Sequence, residues 1–353
     1  MTSLEVAPLS AFDLALEQLP KVELHCHVEG TMRPGTVIDL ARRNKVPLPT
    51  SDPTELYRYT SLDSFLEVFW LVQSVLGGVD DWTRLAFESV VDGAAHGRVY
   101  AETFFTPARH LAAGQRLSDI VAGLAAGIEA AEDTTGARCM LICDIDRAYG
   151  PAAAVELVDM LHALRQAGAP GMDRVLGIGM DSTELGVDPC SFHDAFARAG
   201  AVGFRRTAHQ GEDSGPDAIA ACVDHLGAER IDHGLSLGAD AELVRRFAGE
   251  RIPLTMCPNS NIRIANRYER LADHPLPGLR AAGVLATVNT DDPALTDLDL
   301  GYEYRTVAAA FGWGWDQMVD LALDGVEASW LDHDAKRALA RDIAGAAARL
   351  TPA

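Results

Sequence analysis

The chain has 353 residues, 48% of them hydrophobic and 23% charged, a make-up that fits a soluble globular protein and excludes a fibrous repeat or a disordered polymer. Its 30 lysines and arginines stand against 51 acids, a net charge of −21. That charge repels nucleic-acid phosphates and anionic membrane surfaces and points to a small, uncharged ligand.

The length lies within the range that an α/β barrel fills as one unit, so residues 1–353 are expected to form a single domain. The opening segment "MTSLEVAPLSAFDLALEQLP" lacks the basic start of a secretory signal, and no apolar run reaches membrane-spanning length. Six cysteines (Cys26, Cys139, Cys143, Cys190, Cys222, Cys257) are scattered without a CxxC pair. Buried thiols in a reducing cytoplasm are the expectation.

In chain order, β-rich apolar segments begin at Val22 ("VELHCH"), Val99 ("VYAETFF"), Ala137 ("ARCMLICDI"), Val175 ("VLGIGMDS"), Phe204 ("FRRTAHQ"), Arg230 ("RIDHG"), Ile252 ("IPLTMCP") and Leu285 ("LATVNTDD"). Helical segments such as "PAAAVELVDMLHALRQAG", "GPDAIAACVDHLG" and "DAELVRRFAGE" lie between them. Eight such strands with intervening helices predict a closed (β/α)8 barrel of the TIM type. Residues 31–98, between strands one and two, are too many for a single crossover. Within them "SLDSFLEVFWLVQSVL" carries an apolar stripe at helical spacing, which suits a lid over the barrel or another packed helix. Further helices are expected after strand eight, in "EYRTVAAAFG", "WDQMVDLALDGVEASWL" and "DAKRALARDIAGAAARL".

Reactive groups of such barrels gather at the C-terminal strand ends. Strand one closes on His25-Cys26-His27, strand five on His209-Gln210-Gly211-Glu212, strand six on Asp232-His233-Gly234 and strand eight on Asn289-Thr290-Asp291-Asp292-Pro293. His25 and His27, two apart, share one face of a strand. Singly, each piece has an ordinary explanation as a core histidine, a turn or a helix cap. Jointly they bring several costly polar groups to one rim, a cost that ligation of a cation offsets. Three imidazoles and a carboxylate suit Zn²⁺ with one position left for water, whose pKa such a metal lowers to about 7. A second, bridged metal would call for a carbamylated lysine at mid-sheet. Lys21, Lys45 and Lys336 lie in none of strands two to eight, so one Zn²⁺ per chain is expected.

The set "ELHCHVEGT", "AHQGE", "RIDHG", "CPNSN" and "VNTDDP", in that order between about Pro20 and Leu350, resembles the adenosine and adenine deaminase family of metal-dependent hydrolases. The resemblance implies hydrolytic loss of the 6-amino group of a purine. It implies His25, His27, His209 and Asp291 as zinc ligands and Glu212 as the donor of a proton to purine N1. His233 would orient the attacking water, with Asp291 beside it, and Asp292 would accept a hydrogen bond at N7. Glu29, Glu184 and Gly211 would complete the substrate contacts.

Members acting on adenosine usually have Asp where this chain has Glu29, and a glycine in the loop that here runs "GMDSTELG" through Ser182, Thr183 and Glu184. Both departures look like adenine deaminases. Gln210, between His209 and Gly211, stands where the family normally has Ala. "NTDDP" and the C-terminal helices look like the adenosine group. Adenosine and deoxyadenosine, converted to inosine and ammonia, are therefore placed first. The alternatives are adenine converted to hypoxanthine, or another amino-bearing heterocycle. Cys139 with Cys143, and His96, His110, His162, His193, His225, His274 and His333, are read as packing or solvated residues. The sequence leaves the oligomeric state open.

Overall fold

The computed structural model describes residues 8–59, 62–264 and 267–352. Its centre is one sheet of eight parallel strands whose spatial order is their chain order. They are β1 (Lys21–Glu23), β2 (Arg98–Phe105), β3 (Arg138–Asp146), β4 (Val175–Asp181), β5 (Arg205–Gln210), β6 (Arg230–His233), β7 (Leu254–Met256) and β8 (Ala286–Val288). All eight segments read as strands from the sequence take their places in this sheet. β1 is shorter than expected: regular pairing stops at Glu23, and His27 rejoins β2 by a single bridge to Phe104.

The two ends of the sheet meet at the rim, giving a nearly closed barrel. Cys26 bridges to Asp291. Below it, the Asn289 side chain accepts the Leu24 N–H (2.8 Å) and donates to the Met256 carbonyl (3.1 Å). A buried amide thus supplies backbone partners where a ladder is missing, which a buried seam requires.

Helices connect the strands and pack outside them. Between β1 and β2 come Pro34–Asn44, Pro53–Leu56, Leu62–Ser74 and Val79–Ala95, the extra helices expected there. Ser61, the first residue of the apolar-striped segment, lies outside the described residues, as do residues 1–7 of the opening segment. The Leu62–Ser74 helix packs on the 3-10 turn Glu29–Thr31 and on Ala108–Ala112, the elements that follow β1 and β2. Phe65 is buried there, stacked on Phe69 and edge-on to Tyr59. The helix therefore both packs and overhangs the strand ends. Leu300–Phe311, Trp315–Ala328 and His333–Leu350 close the chain as expected.

The lysines stand as the sequence implies. Lys21 is buried in β1, its Nζ donating to the carbonyls of Leu19 (2.8 Å) and His96 (3.0 Å), at the opposite end of the strand from the histidines. Among the described residues no helix is long and apolar enough to cross a membrane.

Candidate metal centre

The C-terminal strand ends bring together residues separated by more than 260 positions. His25 and His27 follow β1, His209 lies near the end of β5, His233 ends β6, and Asp291 follows β8. Ligand atoms of His25, His209, His233 and Asp291 all lie within 4.8 Å of one another. His27 joins them, its Nε2 3.1 Å from His209 Nε2 and 3.4 Å from Asp291 Oδ1. His25 Nε2 lies 3.2 Å from Asp291 Oδ1 without hydrogen-bond geometry.

Each ring is aimed by what its other nitrogen meets. His25 Nδ1 donates to the Thr255 carbonyl of β7 (3.0 Å), which leaves Nε2 bare for the cluster. His209 Nδ1 faces Asp232 Oδ2 at 3.6 Å, and Asp232 is itself held by the hydroxyls of Thr207 (2.7 Å) and Thr255 (2.6 Å). Asp291 is fixed from two sides. Ser260 donates to its Oδ2 (2.6 Å), leaving Oδ1 toward the rings. The preceding Thr290 is tied by its N–H (3.2 Å) and hydroxyl (2.6 Å) to Glu23, whose other oxygen takes a hydrogen bond from Arg98 (2.6 Å). His233 and Asp291 both adopt left-handed backbone conformations (φ 62° and 67°), a strain of order 1 kcal/mol each that recurs at functional sites.

The donor set fits a zinc ion. Burial pushes the His27 pKa down to about 3 and that of His209 well below its usual value. Both imidazoles are therefore neutral at pH 7, the form that offers a lone pair. Three ring nitrogens converging with one carboxylate oxygen, with the outer nitrogen of His25 held by a carbonyl, form an N₃O set of the kind Zn²⁺ takes. Apart from a metal, His25 Nε2 has no hydrogen-bond partner in this cluster.

Glu212, just beyond β5, is held by the Asn261 amide, which donates to its Oε1 (2.9 Å) and also faces His233 Nδ1 (3.1 Å). Burial raises the Glu212 pKa above the usual carboxylate value. With Nδ1 accepting from Asn261, His233 presents Nε2–H to the cluster. Asn261 is in turn held by His274, whose Nε2 lies 3.2 Å from the amide oxygen.

Three further carboxylates are buried with an unpartnered oxygen: Glu29 (Oε2), Asp181 (Oδ1) and Asp292 (Oδ1). Glu29 uses Oε1 to accept the Thr106 N–H (2.9 Å), and Asp181 accepts the Thr106 hydroxyl (2.6 Å). Burial raises Glu29 to about 7 and Asp181 to about 8, and it holds Asp292, beside Asp291, well above the carboxylate range.

Two expected substrate contacts are used otherwise. Glu184 turns back on the β5 loop, where it accepts the N–H groups of Gly211 (2.9 Å), Glu212 (2.9 Å) and Ser214 (3.0 Å). Gln210 Nε2 (3.1 Å) and the Ser214 hydroxyl add to it, so both carboxylate oxygens are committed. Gly211 gives its N–H to Glu184, and its carbonyl accepts the Ser236 N–H (2.9 Å). Both residues shape the loop that carries Glu212. The glycine-like position of the β4 loop is taken by Ser182, at φ 74°.

The sequence gives no role to Ser260, Asn261, Asp232 or Thr255, and it reads His274 as a packing or solvated residue. Ser260 and Asn261 lie within "CPNSN" and Asp232 precedes His233, so their motifs were in view. His274 had no motif to mark it.

A family model described as adenosine deaminase matches residues 20–346. The adenine deaminase of Streptomyces coelicolor is 39% identical over 323 residues, covering 91% of this chain and 93% of that protein. The crystal structure of adenine deaminase from Arthrobacter aurescens superimposes with a TM-score of 0.86 at 33% identity, covering 92% of this chain and 98% of that one. A Burkholderia ambifaria amidohydrolase with bound Zn does so with a TM-score of 0.90 at 30% identity, covering 99% and 96%. The chain therefore belongs to the adenosine deaminase family, barrel hydrolases that act on the C–N bond of a cyclic amidine to deaminate a purine.

Proposed function

We propose that the chain deaminates free adenine to hypoxanthine and ammonia, with one zinc ion held by His25, His27, His209 and Asp291. The sequence alone put adenosine first. The relatives just described, adenine deaminases at 39% and 33% identity, support the alternative. The observation that carries the reading is Glu29, a fully buried carboxylate with Oε2 unpartnered, two residues past His27. A free base brings an N9–H donor to such an acceptor. A nucleoside, alkylated at N9, leaves the oxygen unpaired, and a site built for an N–H rejects the analogue that lacks it. The neighbouring Asp181 and Asp292 add carboxyl groups and no cation, which disfavours a phosphorylated substrate.

A zinc ion in this set supplies acidity that ionises water near neutral pH. Glu212, whose pKa burial raises, delivers a proton to purine N1, which makes C6 electrophilic. Asn261 holds Glu212 in place for this transfer. His233 offers Nε2–H to the oxygen that attacks C6 and to the charge that develops there. N7 of adenine is an acceptor, so Asp292 would serve as a donor in its neutral form and not as the acceptor first expected.

The test is kcat/KM of the zinc-loaded protein for adenine, adenosine, deoxyadenosine and AMP. Adenine should exceed the others by roughly 10²-fold or more. Adenosine turned over as well as adenine would overturn the substrate assignment, and no turnover of any of the four would remove the purine itself.

A further inference from the structure

Asp144 is a buried carboxyl that the reaction does not use. It lies near the end of β3, is fully buried, and neither carboxylate oxygen has a hydrogen-bond partner. Isolated carboxylates in such places cost several kcal/mol, so a partner is called for. Arg147 nearby is spoken for, its two terminal nitrogens donating to the carbonyls of Asp181, Ser182 and His209 and to Gln210 Oε1.

What Asp144 does face is His27. Its Oδ2 lies 3.7 Å from His27 Nδ1, a nitrogen that likewise has no hydrogen-bond partner, while His27 Nε2 points into the ligand cluster. The fold makes room for this carboxylate. Gly179 of β4 is its partner in register, and a Cβ there would collide with Asp144 Oδ1. Two orphaned buried atoms therefore face each other, one able to donate only if the ring is protonated at Nδ1. That is the tautomer His27 must have if Nε2 is to bind a metal.

We propose that Asp144 is a positioning residue for the metal centre, accepting Nδ1–H of His27 and so fixing the ring with Nε2 toward the ion. It plays for His27 the part that the Thr255 carbonyl plays for His25 and Asp232 for His209. Each ligand histidine is then oriented from a different strand: β7, β3 and β6. The gap of 3.7 Å exceeds a hydrogen bond, so the proposal requires the carboxylate to approach Nδ1 when the ion is bound. This inference rests on the zinc reading above.

The experiment measures the zinc dissociation constant of the holoenzyme by chelator competition, for wild type, Asp144→Asn and Asp144→Leu, with the visible spectrum of the cobalt-substituted forms as a second readout. Asp144→Leu should weaken zinc binding by roughly 10- to 100-fold. Asp144→Asn, which keeps an acceptor oxygen, should lose less, and its cobalt bands should shift. Gly179→Ala, which crowds the carboxylate, should move zinc affinity in the same direction as Asp144→Asn. If Asp144→Leu does not fold, the near-isosteric Asp144→Asn decides: wild-type affinity and an unshifted cobalt spectrum overturn the proposal. Equal weakening in Asn and Leu variants overturns it too. A wild-type protein that binds no zinc would instead sink the metal reading, so the two failures are separable.

Discussion

Glu212 shows how one side chain takes its role from its surroundings. Glutamate is an ordinary surface residue, but here burial raises its pKa and Asn261 fixes one oxygen, so that it can carry a proton to a bound base. Glu212→Gln keeps the shape and removes the proton. It should retain zinc and adenine binding while kcat falls by roughly 10²-fold or more, read from steady-state turnover alongside adenine affinity. Unchanged turnover would take the proton-transfer role from this residue. That His25, His27, His209 and Asp291 would converge was legible in the sequence because histidines in apolar strands are costly and stand out, and two of them at spacing i, i+2 imply a shared target. Asn261, Ser260, Asp232 and Asp144 act by orienting others, and nothing in their residue type announces that before the chain is folded. The use Glu184 makes of its loop was not legible for a related reason: whether a carboxylate faces a ligand or its own backbone depends on one side-chain direction.

At the scale of elements, the eight strands were readable as β-branched apolar runs between turn residues, and the pattern also gave the helices that follow β1 and β8. The early end of regular pairing in β1 was not readable, because it follows from how the sheet ends meet around Asn289. Close helix packing is a second feature that residue periodicity hides. The helices Val79–Ala95 and Leu117–Thr135 approach so near that a Cβ on Gly127 would meet the Thr83 carbonyl and Ala86. In an open helix Gly→Ala gains about 1 kcal/mol, whereas overpacking costs about 1–3 kcal/mol. Gly127→Ala should therefore lose stability in urea unfolding. Gly345→Ala, in the His333–Leu350 helix with only Arg349 near its added methyl, should gain up to about 1 kcal/mol. Equal gains in both variants would show that the two helices are not in contact at Gly127.

For the molecule as a whole, the ligand set joins parts of the chain that only barrel closure makes neighbours. Two ligands follow β1, one comes from β5 and one follows β8, so the middle and both ends of the sheet contribute to one centre. The length and the negative charge bounded this outcome from the start, favouring a barrel around a small neutral ligand, yet neither could name the purine. The central claim is that His25, His27, His209 and Asp291 hold a single ion on which deamination depends. Metal analysis of purified protein beside its His209→Ala variant tests it most directly. One zinc per wild-type chain and well under one in the variant, with activity lost in step, is the expected result; wild-type protein that deaminates adenine without stoichiometric metal, or a His209→Ala variant that keeps its full zinc, would contradict it.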